Sequence, residues 1–305
     1  MTDLYPSRCE PDPRILPRLE PVVHGSRDPA APLTPAQIER FDRDGYLVLH
    51  NLFTPEEVAA LRESATHILA DPTALARETV ITEPGGAEVR SVFMIHRQSA
   101  VMSRLASDVR LAGLARFLLN DEVYIHQSRL NYKPGFVGKE FYWHSDFETW
   151  HVEDGMPRMR ALSMSILLAP NSELNGPLMV MPGSHRKYLT CVGETPENHY
   201  RSSLKRQEYG VPDPDALAAL AVEHGIVAAT GQAGTVVIFD CNTMHGSNGN
   251  ITPFPRANAF FVYNAISNRL LAPFGPKSPR PEFVASRQCM PVLDRPAATL
   301  LEAAS

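Results

Sequence analysis

His144 and Asp146 form a His-x-Asp pair within the stretch FYWHSDFETWH, which runs from Phe141 to His151 and holds both tryptophans of the chain. Side chains two residues apart point to the same face of a β-strand, so this imidazole and this carboxylate could share one metal ion. A second histidine from elsewhere would complete a facial triad of two histidines and one carboxylate. A lone His-x-Asp pair also occurs by chance, so the prediction depends on finding that third ligand.

Two histidines are serious candidates for the third ligand, and they differ in the residues that neighbour them along the chain. His185 ends the turn PGSH, whereas His245 comes shortly after the predicted strand TVVIFD. In a rolled-up sheet a late strand returns to pair near the first two ligands, which favours His245. Ser247 and Arg256 come after it, and a hydroxyl beside a guanidinium suits a carboxylate. The completed triad would be of the kind that non-haem Fe(II) oxygenases use.

The other histidines and acids near the pair are predicted to have structural roles. Several histidines have no acidic or histidine neighbour at a useful spacing: His50, His67, His96, His126 and His224. His151 falls on the opposite strand face or beyond the strand end, so we expect it at the rim of the site. Paired acids can perform acid–base catalysis, but a metal site accounts for this stretch better. The acids predicted to support the site from outside the metal are Glu148, Glu153 and Asp154.

Composition indicates a globular protein that binds neither nucleic acid nor membrane. The chain has 305 residues, 44% apolar and 21% charged, with a formal net charge of −5, so no basic surface for nucleic acid is expected. No apolar run approaches the roughly 20 residues that cross a bilayer, and the N-terminus lacks the apolar core of a signal peptide. The four cysteines are widely spaced, which predicts free thiols in a reducing cytoplasm.

Helix caps and apolar patterns predict the elements that must position the pair. Thr34 as N-cap and Pro35 as first helical residue predict a short helix that Gly45 ends. Residues 1–33 are rich in proline and are expected to form an extended arm, partly disordered or draped over the surface. Residues 34–305 are predicted to form one domain, in which helices come first and many short strands come after them. This order favours a mainly β fold with flanking helices and a double-stranded β-helix core, a jelly roll of the cupin-like kind with an open mouth.

The longest predicted strand covers residues 123–133 and alternates along its length. The residues predicted to share one face are Val123, Ile125, Gln127, Arg129, Asn131 and Lys133. That face changes from apolar to polar, as expected of a strand that runs from a core into a pocket. Phe260 and Phe261 alternate on a late strand, so one of them should face the cavity. A strand is also predicted over residues 88–96, and a last helix over residues 297–304.

Three motifs together make the chain similar to the phytanoyl-CoA dioxygenase family of Fe(II)- and 2-oxoglutarate-dependent oxygenases, from about residue 34 to residue 265. They are the HxD pair, NGPLxVxPGSH, and a distal HGSxxN with an arginine beyond it. The resemblance implies Fe(II) as cofactor, with 2-oxoglutarate and O2 as co-substrates. The implied iron ligands are His144, Asp146 and His245. The implied 2-oxoglutarate contacts are Arg256 with Ser247, then Lys133 and Asn131.

The block FxWHSDFETWHxEDGMPxMR is more specific, and it resembles the branch of that family that acts on the compatible solute ectoine. The implied reaction is hydroxylation of ectoine to 5-hydroxyectoine with O2, which releases succinate and CO2. Asp146 argues against halogenation, because a halogenase needs that position vacant for chloride. The resemblance also suggests a homodimer. The alternatives are the same chemistry on another small amino-acid-like metabolite, or a non-enzymatic jelly-roll binding module.

An ectoine-binding pocket must recognise a delocalised amidinium and a carboxylate on a small ring. An amidinium suits an aromatic face, and Trp150 is the expected one. Thr149 and Gln127 are expected to hydrogen-bond the substrate. For its carboxylate we favour Arg280, in a late proline-rich loop, over Arg129.

Overall fold

A computed structural model describes residues 3–26, 31–70, 77–206, 209–293, 295–296 and 299–304. The described strands are β1 (Ile15–Pro17), β2 (Tyr46–Leu49), β3 (Val80–Thr82), β4 (Val89–Phe93), β5 (Val123–Lys133), β6 (Phe141–His144), β7 (Ala161–Leu167), β8 (Leu178–Val180), β9 (Lys187–Leu189), β10 (Val227–Ala229), β11 (Val236–Asp240), β12 (His245–Ser247) and β13 (Arg256–Ala265). The described helices are α1 (Pro35–Asp44), α2 (Pro55–Ala70), α3 (Ile95–Gln98), α4 (Ala100–Ala106), α5 (Ala112–Leu119), α6 (Asp146–Thr149), α7 (Tyr200–Ser203), α8 (Pro214–His224) and α9 (Thr299–Glu302). Within these ranges no helix has both the length and the apolar character of a membrane-crossing segment. The last helix is predicted over residues 297–304. Residues 297 and 298 lie outside the described residues, and α9 covers Thr299–Glu302.

Helix α1 begins and ends where the sequence predicts. The Thr34 hydroxyl accepts a hydrogen bond from the Gln37 backbone N–H, and the Gln37 side chain accepts one from the Thr34 backbone N–H. Pro35 occupies the first helical position, and Gly45 ends the helix with φ of 76°. These caps satisfy backbone groups that a helix end leaves unpaired, so they fix where the chain enters strand β2.

Two antiparallel sheets form the jelly roll, which confirms the predicted fold class. The large sheet has the strand order β2-β11-β7-β13-β5-β4-β3, and the small sheet has the order β10-β8-β12-β6. Apolar side chains from both sheets, such as Val180, Phe239 and Phe260, pack in one cluster between them. The opposite face of the large sheet, including Phe261, packs against helices α1, α2, α4 and α5. Phe260 is therefore the phenylalanine that faces the cavity.

A β-bulge at His126 divides strand β5 into two parts with opposite facing. Val262 pairs with Gln127 and the next residue, Tyr263, pairs with Ile125, so His126 is the extra residue on β5. An extra residue reverses the alternation of side chains. Ile125 consequently joins the core under the helices, while Gln127 lines the cavity between the sheets. The predicted single face from residue 123 to residue 133 is therefore wrong at its apolar end.

Strand β4 is shorter than the predicted strand over residues 88–96. It ends at Phe93, because Met94 has φ of 59° and helix α3 starts at Ile95. A left-handed residue cannot continue the strand ladder, and no residue type in this stretch signals the turn.

The described part of the N-terminal arm, residues 3–26, is anchored to the fold by a few buried side chains, while residues 9–21 are mostly exposed. Strand β1 pairs with β9, and the ring of Tyr5 is fully buried, 5.3 Å from the ring of Phe147. Arg8 is also buried. Composition predicts an extended arm, partly disordered or draped over the surface, but it averages over proline and charge and cannot identify the few side chains that anchor the arm. The division of the chain at residue 34 stays a prediction.

Candidate active site

Three side chains that can bind a metal meet at one end of the small sheet. His144 ends strand β6, Asp146 begins helix α6, and His245 begins strand β12, where it pairs directly with His144. The Asp146 Oδ1 atom lies 3.6 Å from His144 Nε2 and 3.9 Å from His245 Nε2. One ligand atom from each residue lies within 4.8 Å of the others. The predicted triad is thus assembled, and its geometry suits a single ion.

The two neighbouring ligands meet for a reason that differs from the predicted one. Only His144 belongs to the strand; the chain turns at Ser145, and Asp146 is the first residue of α6. Helix α6 passes directly into one turn of π-helix, Trp150–Asp154. The His-x-Asp spacing therefore spans a strand end and a helix start, and the helix carries the next residues back past the metal site.

Hydrogen bonds orient each ligand toward the centre of the triad. His144 Nδ1 lies 2.7 Å from the Tyr142 carbonyl oxygen, and His245 Nδ1 lies 3.0 Å from that of Thr243. A ring that donates from Nδ1 presents the lone pair of Nε2 to a metal. The Ser163 hydroxyl donates to Asp146 Oδ2 over 3.1 Å, which leaves Oδ1 facing both histidines.

The protonation states of His245 and Asp146 also suit a metal. Burial and the nearby His144 lower the pKa of His245 to about 4, so this imidazole is neutral at pH 7. Burial raises the pKa of Asp146, but His245 and His144 outweigh that effect and hold it below the usual range. Neutral imidazoles and an ionised carboxylate are the forms that bind a divalent cation.

His185, the rejected third ligand, lies outside the triad. It is fully buried, and its Nε2 lies 3.1 Å from the carbonyl oxygen of Asp42 near the end of helix α1. Its ring also approaches Gly45 so closely that an added Cβ there would lie 2.4 Å from Nδ1. His185 therefore packs against the turn at Gly45 that joins α1 to strand β2.

One side of the triad is a cavity that we call the basic chamber. Its polar lining residues are Arg129, Asn131, Ser247, Arg256 and Asn258, together with His144 and His245. Strands β5 and β13 place these side chains in register, since Lys133 pairs with Arg256, Asn131 with Asn258, and Arg129 with Phe260. The strand pairing therefore places three basic side chains, those of Arg129, Lys133 and Arg256, close to the triad.

These three basic side chains, in and beside the basic chamber, form no ion pair with a carboxylate within the described part of the chain. Arg256 is buried; its Nη1 donates to the Gly176 carbonyl oxygen over 2.6 Å, and its Nε has no partner. Lys133 Nζ donates to Ser247 Oγ over 2.7 Å and to the Asn248 carbonyl oxygen. Arg129 donates to Gln127 over 3.0 Å, and its Nε also has no partner. Buried cations without carboxylates indicate a site for an anionic ligand.

Lys133 should make folding stability depend on pH. Burial, with help from Arg256 and Arg90, lowers its pKa from 10.5 to about 6, against the opposing effect of Glu83 and Glu140. Between these two values the unfolded chain binds more protons than the folded one, so the free energy of unfolding falls as the pH is lowered. We expect this fall to be smaller in Lys133→Met. Urea unfolding of both proteins at several pH values between about 6 and 10 measures it, and parallel curves would contradict the assignment.

The other side of the triad is a cavity that we call the aromatic chamber. It is lined by Phe93, Gln127, Phe141, Thr149, Trp150, His199, Tyr209 and Arg280, and it includes His144 and Asp146. Trp150, Thr149 and Gln127 thus lie together as predicted. Gln127 is already engaged, since its Nε2 donates to the Val284 carbonyl oxygen over 2.7 Å and its Oε1 accepts from Arg129.

Arg280 lines the aromatic chamber but already has a carboxylate partner. Its Nε and Nη2 donate to the two oxygens of Asp154 over 2.8 and 2.5 Å, and Glu153 lies 3.5 Å away. Arg129 also lines this chamber and forms no ion pair among the described residues. The predicted preference for Arg280 over Arg129 is based on spacing and on loop position, and neither of these reveals the ion pair with Asp154. The role of Arg280 in substrate binding stays a prediction.

Several residues around the site were missed or misplaced by sequence reasoning. His151, expected at the rim, is fully buried; it stacks on Phe274 at 4.2 Å and contacts Asp3 at 2.8 Å. His126, set aside as isolated, lies 3.6 Å from Asp154 and against the ring of Trp150.

Phe141 forms a wall shared by both chambers, and Arg90 lies over its ring at 3.6 Å. Arg90 forms a buried ion pair with Glu83 at 3.0 Å. Nothing in the local sequence marks this contact, because Arg90 and Phe141 are far apart along the chain.

Known proteins resemble this chain along nearly its whole length. The phytanoyl-CoA dioxygenase (PhyH) family model matches residues 41–258. An ectoine dioxygenase from Sphingopyxis alaskensis is 68% identical over 287 residues, which cover 94% of this chain and 94% of that protein. A crystal structure of EctD from S. alaskensis with 2-oxoglutarate and 5-hydroxyectoine has a TM-score of 0.89 at 61% identity, and covers 97% of this chain and 99% of that one.

A second crystal structure of EctD from S. alaskensis, with bound Fe, has a TM-score of 0.87 at 60% identity over the same shares of the two chains. The family match spans strand β5, the triad and the start of strand β13, so it includes the elements that build the site. The chain therefore belongs to the phytanoyl-CoA dioxygenase family and, within it, to the ectoine dioxygenases.

Proposed function

We propose that this protein hydroxylates ectoine to 5-hydroxyectoine with Fe(II), 2-oxoglutarate and O2, and releases succinate and CO2. The observation that carries the proposal is the position of the triad between two chambers of different chemistry. The basic chamber suits a dianion, and the aromatic chamber suits a small cationic ring. The similarity to the ectoine dioxygenase of S. alaskensis, 68% identical, supports ectoine as the substrate.

His144, Asp146 and His245 would hold the iron. Two imidazoles and one carboxylate are the ligand set of non-haem Fe(II) oxygenases, and they would leave room on the ion for the co-substrates. The bound iron supplies the O2 chemistry that couples decarboxylation of 2-oxoglutarate to substrate oxidation. The protein holds the ligand rings in one tautomer through the carbonyl groups of Tyr142 and Thr243, so little rearrangement is needed on binding.

The basic chamber would hold 2-oxoglutarate. Arg256, with Ser247, binds the carboxylate remote from the iron, because the guanidinium has an unpartnered Nε and is fixed by Gly176. Lys133 hydrogen-bonds Ser247 and contributes a second positive group once the dianion restores its charge. Asn131 accepts a hydrogen bond from Ser91 over 3.1 Å, which leaves its amide N–H groups for the co-substrate.

The aromatic chamber would hold ectoine. Trp150 offers its face to the amidinium, and Thr149 and Gln127 provide hydrogen bonds. The substrate carboxylate needs a cation, and Arg129 is better placed for it than Arg280, because Asp154 already neutralises Arg280. Arg280 then acts as a polar part of the wall that can hydrogen-bond the ring.

An assay with purified protein, Fe(II), 2-oxoglutarate and O2 tests this function. We expect succinate to form in an ectoine-dependent manner and 5-hydroxyectoine to appear in equal amount. Proline, a cyclic imino acid without an amidinium, serves as the comparison and should give little succinate. Ectoine-independent succinate formation alone would reject the substrate, and the same chemistry on another small metabolite would remain to be tested with a substrate panel.

We also propose that the protein acts in the cytoplasm as a homodimer. The free cysteines Cys9, Cys191, Cys241 and Cys289 favour a reducing compartment. The dimer rests on family resemblance alone, and sedimentation velocity of the purified protein would distinguish it from a monomer of 33.7 kDa.

A further inference from the structure

Four carboxylates lie within nine residues at the active site, and all are buried. Asp146, Glu148, Glu153 and Asp154 are each 7% exposed or less. A buried carboxylate is costly unless a cation or a metal neutralises it. Asp146 faces the triad, and Asp154 pairs with Arg280, which also lies 3.5 Å from Glu153. Glu148 therefore needs another partner, and so does Glu153, because Asp154 already binds that guanidinium.

The N-terminal arm supplies that partner. Arg8 Nε and Nη2 donate to the two oxygens of Glu148 over 3.0 and 2.6 Å, and Nη1 donates to Glu153 over 2.7 Å and to Thr195 over 2.6 Å. The Ser7 hydroxyl donates to the same Glu148 over 2.6 Å. One guanidinium therefore joins helix α6, at Glu148, to the π-helical turn that follows it, at Glu153.

The backbone of Arg8 shows that this insertion is specific. Arg8 has φ of 58°, a left-handed conformation that is unfavourable for a residue other than glycine. Its backbone N–H donates to the Cys191 carbonyl oxygen over 2.8 Å. The arm thus adopts an unfavourable conformation at the point where its side chain enters the carboxylate cluster.

The segment that Arg8 joins forms a wall of the aromatic chamber. Thr149 and Trp150 lie between Glu148 and Glu153 along the chain, and Glu153 also lines the chamber and contacts His199 at 3.1 Å. Behind the wall, Tyr5 of the arm packs in the same apolar cluster as Trp150.

The Arg8–Glu148 pair also receives the segment that covers the chamber. At Gly210, which has φ of 68°, an added Cβ would lie 2.5 Å from Arg8 Nη2 and 2.9 Å from Thr149 Oγ1. The backbone at Gly210 therefore approaches the pair as closely as a residue without a side chain allows. Tyr209, the residue before it, lines the chamber.

We infer that Arg8 is a positioning residue for the substrate chamber: by joining Glu148 to Glu153 it sets the positions of Thr149 and Trp150 and seats the covering segment at Gly210. This inference rests on the proposed function. Arg8 lines neither chamber, and the basic chamber contains none of its partners. Loss of the Arg8 fork should therefore weaken ectoine binding and leave 2-oxoglutarate binding unchanged.

Arg8→Lys tests the inference, with Arg18→Lys as matched control. Lysine keeps the charge but cannot bridge Glu148 and Glu153 with a fork. Arg18 belongs to the same arm and forms an equally buried ion pair, 2.6 Å from Asp240, away from the chambers. We expect Arg8→Lys to raise the KM for ectoine by about tenfold or more, because small misplacements near a reacting substrate are costly. Arg18→Lys should change that KM by less than about twofold, and neither variant should change the KM for 2-oxoglutarate.

A second measurement needs neither iron nor substrate. In a Trp143→Phe background Trp150 is the only tryptophan, so its fluorescence reports directly on the chamber wall. Acrylamide should quench the fluorescence of Trp150 more strongly in Arg8→Lys than in Arg18→Lys or in the Trp143→Phe protein without a further substitution. If Arg8→Lys does not yield folded protein, Glu148→Gln removes the charge that Arg8 binds and should produce the same two changes.

The outcomes separate the inference from the function on which it rests. Wild-type activity on ectoine combined with an unchanged ectoine KM and unchanged quenching in Arg8→Lys would overturn the inference. An equal rise of the ectoine KM in Arg18→Lys would also overturn it, since the effect would then be a general consequence of loosening the arm. A wild type inactive on ectoine would reject the proposed function, and the quenching experiment would still decide whether Arg8 positions Trp150.

Discussion

Replacing His245 with alanine should remove iron from the protein and abolish hydroxylation, whereas replacing His185 should leave both near the wild-type level. His245 Nε2 faces Asp146 and His144, and no other described histidine joins this group. Changes in groups that only orient metal ligands cost about 10- to 100-fold in metal affinity, so loss of a ligand should cost more. Iron per protein chain, measured after dialysis against a fixed concentration of free Fe(II), gives the result.

His185→Ala is the informative control because the two histidines are comparable in burial. His185 is 0% exposed and His245 is 4% exposed. Alanine at either position removes a buried ring, and a loss of thermal stability is expected in both variants. Only the His245 variant should lose iron when the two are compared well below their unfolding temperatures. Loss of iron in His185→Ala alone would show that the third ligand has been misassigned.

The sequence was sufficient to predict the features that depend on short-range rules. The helix start at Thr34 and Pro35 and the helix end at Gly45 follow from local hydrogen bonding and backbone preference, and the structure has each of them. The choice of His245 relied on a simple topological argument, that a late strand returns beside the first ligands, and strand β12 does pair with β6. Local cap motifs and the order of the strands are therefore enough to predict both the fold class and the metal site.

Features that depend on long-range packing could not be predicted from local patterns. The bulge at His126 reverses one strand face, yet the residue has no special backbone preference. The buried position of Arg8 depends on Glu148 and Glu153, which lie far along the chain. Arg280 was identified as a pocket residue, but its pairing with Asp154 is visible only in three dimensions. In each case the position of a side chain depends on partners that are distant in sequence.

Replacing Arg256 with methionine should raise the KM for 2-oxoglutarate by about 100-fold, since loss of one partner of a buried charge pair costs about 2–5 kcal/mol. Arg256→Lys should have a KM for 2-oxoglutarate between those of the wild type and Arg256→Met, because an ammonium binds a carboxylate without the bidentate fork. Iron binding should be unaffected in both variants, since Arg256 contacts none of the three ligands in the described hydrogen-bond network. Steady-state kinetics at saturating ectoine, together with iron stoichiometry, measures these effects.

Arg256→Met should not lower the stability of the protein without co-substrate, although it removes a buried side chain. Without co-substrate, Arg256 is a buried cation with no carboxylate partner, and burial lowers its pKa to about 10. Removing such a charge relieves its desolvation, so Arg256→Met should unfold at a temperature equal to or above that of the wild type in the absence of 2-oxoglutarate. In the wild type, 2-oxoglutarate should raise the unfolding temperature by mass action, and this rise should disappear in the variant.

Arg110→Met provides the contrast that makes the interpretation specific. Arg110 is also largely buried, but it pairs with Glu57 at 2.6 Å and Asp108 at 2.7 Å. Its removal leaves two carboxylates unpaired, so this variant should lose stability and keep its affinity for 2-oxoglutarate. If Arg256→Met instead lost stability as Arg110→Met does and still bound 2-oxoglutarate normally, Arg256 would be a structural residue. A buried cation that destabilises the protein in the absence of co-substrate fits a residue whose partner is the co-substrate.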